Sequence, residues 1–446
     1  MPGLIETPLA SLQATKASIS RKYDVTKNGF LPSTAPLKQL TNTYYSTWET
    51  LARNLPELLE RKELRAAVEK SAVLSTEKLS TEEEWRRAYV TLVFLAHGYI
   101  WGGETPSDSL PPQITVPLLQ VSKHLDLPPC ATYAGLVLWN FEGTSEEFPD
   151  DFSNPDFVHA VNTFTGTESE SWFYMLSVAL EAQSAWVMPL MVEAIDATHS
   201  RDYTKMAKGL EQIIVAIQKM DELLKRMYEK CDPDIFYKKI RPYLAGSANM
   251  EAAGLPNGVF YDEGNGKGSW QKLMGGSNGQ SSLIQFFDVV LGVEHTGGAD
   301  QASVPAEKAM GYHEKVRTYM PAPHRQFLVD LARMGSLQEF SSTPQPDAGF
   351  HNVKKLYQLA CKTMGDFRCT HIQVVTKYII IQARKQPVGK TLNLAKASSK
   401  SGSESELKGT GGTTLSGFLK QSRDESYEAG RVPDEVKVPV SSAERG

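Results

Sequence analysis

Cysteine is scarce in this chain: four in 446 residues, Cys130, Cys231, Cys361 and Cys369, with no C-x-x-C pair among them. That excludes a disulfide scaffold, disfavours structural zinc, and fits a reducing compartment, the cytoplasm. Nor is a secretory leader expected, because Glu6, Lys16, Arg21 and Lys22 break up Met1–Tyr23 and leave no apolar run of roughly 7 to 15 residues. Charge of one sign is lacking too. Lys and Arg number 47 against 52 Asp and Glu, a net charge of -5, so neither nucleic acid nor an anionic membrane is expected as a partner. Long hydrophobic runs are limited to Phe173–Ile195, where Glu181, Gln183 and Ser184 lie near the middle and Pro189 interrupts. A charge at the centre of a membrane helix costs roughly 2.5 to 3.5 kcal/mol, so the stretch reads as a helix buried in a protein core.

Several catalytic signatures are missing. There is no G-x-x-x-x-G-K-[ST] loop, no H-E-x-x-H, no G-x-S-x-G and no EF-hand loop, which sets aside P-loop nucleotide chemistry, zinc proteolysis, serine hydrolysis and calcium binding. The Gly-rich stretches Glu263–Ser269 and Gly275–Ser281 therefore read first as flexible turns.

Helical periodicity is what the chain does have. Thr81 and Glu84 stand at capping-box spacing, and Trp85, Ala88, Tyr89, Leu92 and Ala96 follow on one helical face. A second amphipathic helix is expected from about Tyr203 to Cys231, ended by Asp232-Pro233, and a third from about Gly365 to Arg384. Strand signals are few and no β/α alternation appears, so the expected fold class is all-α. The length allows two or three domains. The expected division is a small helical domain over residues 1–160, a large helical domain over 161–425 with a mobile loop at about 388–412, and a charged tail over 426–446. The Glu-, Asp-, Pro- and Ser-rich segment Asn140–Asn162 reads as the linker, and Arg423–Gly446 as solvated chain.

Among nine histidines, His371 stands out because Phe367 and Arg368 precede it on the same helical face. One side of that helix offers an imidazole, a flat apolar surface and a cation, which are the needs of a haem: an axial nitrogen, a slot for the macrocycle and a counter-charge for its propionates. A buried structural histidine fits the pattern as well.

Four segments in order then carry a resemblance: Gly275-Gly-Ser-Asn-Gly-Gln-Ser-Ser-Leu-Ile-Gln-Phe-Phe-Asp288, Tyr319-Met-Pro-Ala-Pro-His-Arg-Gln-Phe-Leu328, His371-Ile-Gln-Val-Val-Thr-Lys-Tyr-Ile379 and Lys408-Gly-Thr-Gly-Gly-Thr413. Together they are similar to the indoleamine 2,3-dioxygenases, over most of the chain from Tyr44-Tyr45-x-x-Trp48 to Phe418-Leu419. The resemblance implies a haem b enzyme that inserts both atoms of O2 across the indole C2–C3 bond of L-tryptophan to give N-formylkynurenine. It also implies an external electron donor to reach the ferrous state and a monomeric chain. His371 resembles the proximal ligand, Arg368 the partner of a propionate, Asp288 a carboxylate behind that arginine, and Gly276 and Ser277 the loop over the haem edge. Arg241 resembles the clamp on the substrate carboxylate; Phe236, Phe173 and Ser177 resemble the indole contacts, Tyr133 and Val137 the deep wall, and Thr410 a mobile lid.

A guanidinium offers carboxylate a two-pronged fork that lysine lacks. The same fold also serves non-catalytic haem oxygen carriers, and a tryptophan-binding signalling scaffold is a third reading. Retention of Arg241, Phe236, Ser177 and Thr410 favours the enzyme, since a carrier has no use for a carboxylate clamp. Leu136, Asn278 and Trp172 depart from the familiar vertebrate pattern of cysteine, alanine and glycine.

Overall fold

The computed structural model describes residues 22–145, 150–295, 312–385, 407 and 415–432. Helix α1, Glu82–Trp101, starts as the spacing predicts: the Thr81 hydroxyl accepts from the Glu84 N–H, and the Glu84 carboxylate accepts from Thr81 N–H in return. Three glutamates in its first turn complement the helix dipole, and from Arg87 onward every residue is buried. Helix α2, Pro112–Leu125, opens on proline and stops where Asp126 turns left-handed.

The apolar run expected as one helix is two. Helix α3, Glu168–Ser184, ends in a 3₁₀ turn at Ala185–Val187, and α4, Met188–Ser200, restarts with Pro189 in its first turn. Proline lacks the N–H that an interior position must donate but is tolerated where donors are already unmatched. The pair Glu168–Ser200 is apolar enough in length and composition to span a membrane, yet 67% of its most apolar window is packed inside the protein.

Helix α5, Tyr203–Lys225, stops short of the expected Cys231; a separate turn, Met227–Lys230, follows, and Asp232 caps the next one. Helices α6, Ser282–Leu291, and α7, Ala322–Ala332, are short. Helix α8, Ala348–Val375, begins well before the expected Gly365 and runs on through a π-helical turn, Thr376–Ile380, to Lys385. Glycine 365 is the reason one face of α8 is open: a Cβ there would sit 2.3 Å from the Tyr427 ring of α9, Leu415–Ala429. That packing corrects the reading of a solvated tail from Arg423, because Ser426, Ala429 and Val432 are buried.

Strands are few and short. Parallel β1, Ser109–Leu110, pairs with β4, Val259–Gly264, which pairs antiparallel with β5, Lys267–Gln271. The Gly-rich stretch Glu263–Ser269 is thus a hairpin, turning at Asn265 and Gly266, both with positive φ. The other sheet joins β2, Phe141–Gly143, to β3, Val158–Ala160. Asn162 N–H donates to the Asn140 side chain, which donates back to the Asn162 carbonyl, and Phe141 and Phe152 are fully buried. The described parts of the expected linker, 140–145 and 150–162, are therefore packed against the protein and tied to each other at Asn140 and Asn162.

Two apolar cores result. One gathers α1, α2 and most of α3 with residues between Met227 and Tyr261; the other gathers α4 to α8. They interleave along the chain, and the fold is all-α in class.

Candidate functional site

A single cavity is lined from both cores. Tyr133, Val137, Phe173, Ser177, Phe236, Arg241, Gly276, Ser277, Asp288, Arg368 and His371 all stand on its wall. Thr410 lies outside the described residues, as does most of the loop at about 388–412. Residues more than 200 positions apart are thus brought together by the packing of helices, which no local pattern encodes.

Three backbone devices shape the wall. Among the described residues, π-helical turns occur at Ala134–Leu138, Phe236–Ile240 and Thr376–Ile380, and each sends side chains to the cavity: Leu136 and Val137, Phe236, then Tyr378 and Ile379. An inserted residue re-aims the side chains of a helix, which is why such turns gather at functional sites. Arg241 follows the second of them directly, with Pro242 opening the next turn.

The Gly-rich segment Gly275–Ser281 is held tightly rather than loosely. A Cβ on Gly275 would lie 2.1 Å from the Leu244 carbonyl, and one on Gly276 would lie 2.4 Å from Leu136 and 3.1 Å from the Ala131 carbonyl. Gln280 ties the loop across, accepting from Tyr133 N–H at 2.9 Å and donating to the Gly275 carbonyl at 2.8 Å. Glycine here serves close approach of backbone to backbone.

His371 lines the cavity and is otherwise enclosed by protein. Burial, then the nearby Arg368 charge, pushes its pKa down to about 4, so the ring is the neutral imidazole with a lone pair to give. Arg368, three residues earlier, has Nη2 on Asp288 Oδ1 at 2.5 Å while its Nε, also buried, has no hydrogen-bond partner. Behind them Asp288 Oδ2 contacts His295 Nε2 at 3.0 Å, and His295 Nδ1 contacts Glu425 of α9 at 2.6 Å.

These residues fit the haem that the resemblance implies. Among the described residues no group of three or more His, Cys, Asp or Glu side chains could hold a bare ion, so an iron facing His371 needs a macrocycle to supply its other donors. Phe367, Val374, Val375, Leu283 and Ile284 provide an apolar slot, and the unmatched Arg368 Nε suits an anionic substituent at the rim.

Elsewhere on the wall, Phe173 and Phe236 meet edge to face with centroids 5.0 Å apart, and Phe236 meets Tyr378 at 5.7 Å. Flat apolar faces of this kind accept an aromatic ligand. Arg241 is 3% exposed with its guanidinium 5.7 Å from the Tyr237 ring. Burial lowers its pKa, the mark of a cation that gains from an incoming anion.

Sequence reasoning missed Glu181. It is fully buried on α3, and its Oε1 accepts from the Tyr133 hydroxyl at 3.0 Å and from the Ser281 hydroxyl at 2.8 Å. Phe173, Ser177 and Glu181 recur every fourth residue, so the stripe was present in the sequence. It also missed His295, for which no local signal existed.

Comparison with known proteins gives one answer. The family model "Indoleamine 2,3-dioxygenase" matches residues 19–429. An indoleamine 2,3-dioxygenase of Penicillium citrinum, qulI, is 38% identical over 90% of this chain and 86% of its own length. The indoleamine 2,3-dioxygenase of Saccharomyces cerevisiae is 37% identical over 94% and 95%. The 6-hydroxytryptophan 2,3-dioxygenase fscD of Fusarium equiseti is 35% identical over 90% and 95%.

Proposed function

The chain belongs to the indoleamine 2,3-dioxygenase family, and from that premise we propose that it converts L-tryptophan and O2 into N-formylkynurenine, the first step of the kynurenine route. That it is a dioxygenase of tryptophan catabolism follows from the family; the product, the cofactor and the residue roles are our reading. In this reading the cofactor is haem b, one per chain in a monomeric cytoplasmic protein, kept ferrous by an external donor.

When bound, haem supplies the reactivity toward O2. His371 would hold its iron through the imidazole, Arg368, fixed by Asp288, would neutralise a propionate, and the Gly276–Ser277 backbone would help to enclose it. Arg241 would take the substrate carboxylate, since a buried guanidinium binds such a group in two-pronged fashion. Phe173, Phe236, Tyr133 and Val137 would enclose the indole and keep water from it, and the Ser177 hydroxyl would face the indole N–H. Two C=O groups form, at C2 and C3, as the O–O bond and the C2–C3 double bond break, so both oxygen atoms are retained and no net electrons are needed. Holding the ring in one orientation against the oxygen is the chief contribution of these walls.

The observation that carries the reading is the convergence of the neutral His371 imidazole, the buried Arg241 guanidinium and the rings of Tyr133, Phe173 and Phe236 on one cavity. Purified protein given a reductant, O2 and L-tryptophan should accumulate N-formylkynurenine, seen by absorbance and mass, with both atoms of labelled O2 in the product. Haem-loaded protein that binds O2 and leaves tryptophan intact would overturn it. His371→Ala should fail to retain haem, and 6-hydroxytryptophan in the same assay sets the preference between this substrate and the one for which the Fusarium relative is named.

A further inference from the structure

Glu181 is an unusual side chain to find on an apolar wall. It is fully buried, no ion pair reaches it among the described residues, Oε1 takes two hydrogen bonds and Oε2 takes none. Its two donors come from different places. Tyr133 belongs to the turn that forms one end of the cavity; Ser281 is the N-cap of α6, its hydroxyl accepting from Ile284 N–H, and α6 carries Asp288. One carboxyl oxygen therefore joins α3, the Tyr133 turn and the start of α6, three of the pieces that enclose the cavity.

We infer that Glu181 is a positioning residue that fixes Tyr133 and the α6 cap as one wall and couples substrate binding to the retention of its own proton. This rests on the proposed tryptophan reading. Burial favours the neutral carboxyl, raising its pKa to about 7, against which the Ser281 and Tyr133 hydroxyls pull only partly. The Tyr133 phenol is the titratable group facing it, and burial followed by the Glu181 charge holds that phenol protonated far above the usual range. The other ionisable groups on the cavity wall, Tyr174, Arg241, Asp288, Arg368, His371 and Tyr378, are not among the causes of its shift; from α5 the wall receives Met220 and Leu224, which are apolar.

A ligand filling the cavity removes water from this side and penalises the anion further. Substrate then binds best to the protonated form. By linkage, affinity falls as pH rises past the pKa of the free protein. Glu181→Gln keeps an oxygen for Tyr133 and Ser281 and cannot ionise.

The experiment is the pH dependence of KM and kcat for L-tryptophan in the haem-loaded wild type, Glu181→Gln and Glu181→Leu. In the wild type KM should rise above about pH 7, approaching tenfold per unit if only the protonated form binds. In Glu181→Gln KM should stay low and flat, and in Glu181→Leu it should be raised at every pH with haem content unchanged. Equal pH slopes in wild type and Glu181→Gln, or an unaltered KM in Glu181→Leu, overturn the inference. Thermal melts of the same proteins without substrate separate its failure from that of the tryptophan reading. The wild type should lose stability relative to Glu181→Gln as pH rises from about 4.5 to about 7, whether or not tryptophan is turned over, and parallel melting curves overturn it too.

Discussion

Arg368 and Asp288, eighty residues apart, meet through Nη2 and Oδ1 at 2.5 Å with both side chains nearly buried. The contact locks α8 to α6 near His371 and leaves the buried Arg368 Nε unmatched. Removing one member of a buried pair strands the other, at a cost of about 3 to 5 kcal/mol. Asp288→Asn, nearly the same shape, should therefore lower the melting temperature clearly and reduce the haem Soret absorbance per protein. A variant with wild-type melting and full haem content would show that the pair positions nothing.

The same carboxylate also holds His295, which reaches Glu425 with its other nitrogen. Burial works to lower the His295 pKa, but the hydrogen bonds and charges of Asp288 and Glu425 prevail and the net shift is upward from 6.5. A histidine with a raised folded pKa stabilises fully below its unfolded value and loses that contribution as pH rises through the folded one. Denaturant midpoints of the wild type should thus fall as pH rises above about 6.5, and α9 should loosen with them. In His295→Gln that slope should vanish, and its persistence would assign the alkaline loss to another group.

Arg241 is the residue whose role is most exposed to a direct test. Losing a hydrogen bond to a charged group costs roughly 1.5 to 3 kcal/mol, so Arg241→Ala should lower kcat/KM for tryptophan roughly ten- to hundredfold, mainly through KM. Haem content should be unchanged, because Arg241 lies on a different segment from His371 and Arg368. Arg241→Lys should rescue little, since ammonium lacks the two-pronged geometry. A KM equal to that of the wild type in either variant would remove Arg241 from the carboxylate.

What could be read in the sequence and what could not divides along physical lines. The start of α1 was legible because a capping box is a contact between neighbours, Thr81 and Glu84. His371 and Arg368 were legible as one helical face; the start of α8 was missed although Phe350, Val353, Tyr357, Ala360 and Cys361 stand at helical spacing and are buried. The break at Ala185–Val187 was signalled by Pro189, but not that it would take the form of a 3₁₀ turn. Asn140–Asn162 misled because acidic and proline-rich composition resembles a linker, whereas two asparagines far apart in the segment close it. The π-helical turns leave no compositional trace, and they are what aim Phe236 and Tyr378. The roles of Arg241, Tyr133 and Gly276 came from resemblance alone, because their neighbours are distant in the chain.

Gly276 offers a steric test of the loop. A methyl group there would strike Leu136 Cδ1 at 2.4 Å, the far end of a flexible side chain, and would press on the Ala131 carbonyl at 3.1 Å, which cannot move away alone. Overpacking of this kind costs roughly 1 to 3 kcal/mol. Gly276→Ala should melt lower and retain less haem, and adding Leu136→Ala should recover most of the stability but not all, because the carbonyl contact remains. A double variant no better than the single one would place the strain elsewhere.

His97 provides the acid-side counterpart. Its ring is buried on α1 between two backbone groups: Nε2 accepts from Ala131 N–H at 2.9 Å, and Nδ1 lies 2.7 Å from the Tyr243 carbonyl, to which it must donate as the neutral tautomer. The ring thus clamps the segment behind Gly276 to the turn that follows Arg241. Protonation would put a second donor against the Ala131 N–H. Burial accordingly lowers the pKa to about 4, and the hydrogen bond to Tyr243 offsets this only in part. A depressed histidine contributes stability above its unfolded pKa, near 6.5, and loses it as pH falls toward the folded one. At full extent that is on the order of 3 kcal/mol. Wild-type stability should therefore decline between about pH 6.5 and about pH 4 more steeply than that of His97→Gln, whose amide can donate and accept at every pH but cannot ionise. Chemical denaturation at a series of pH values measures the difference, and coincident acid limbs would mean that His97 is not the group that yields.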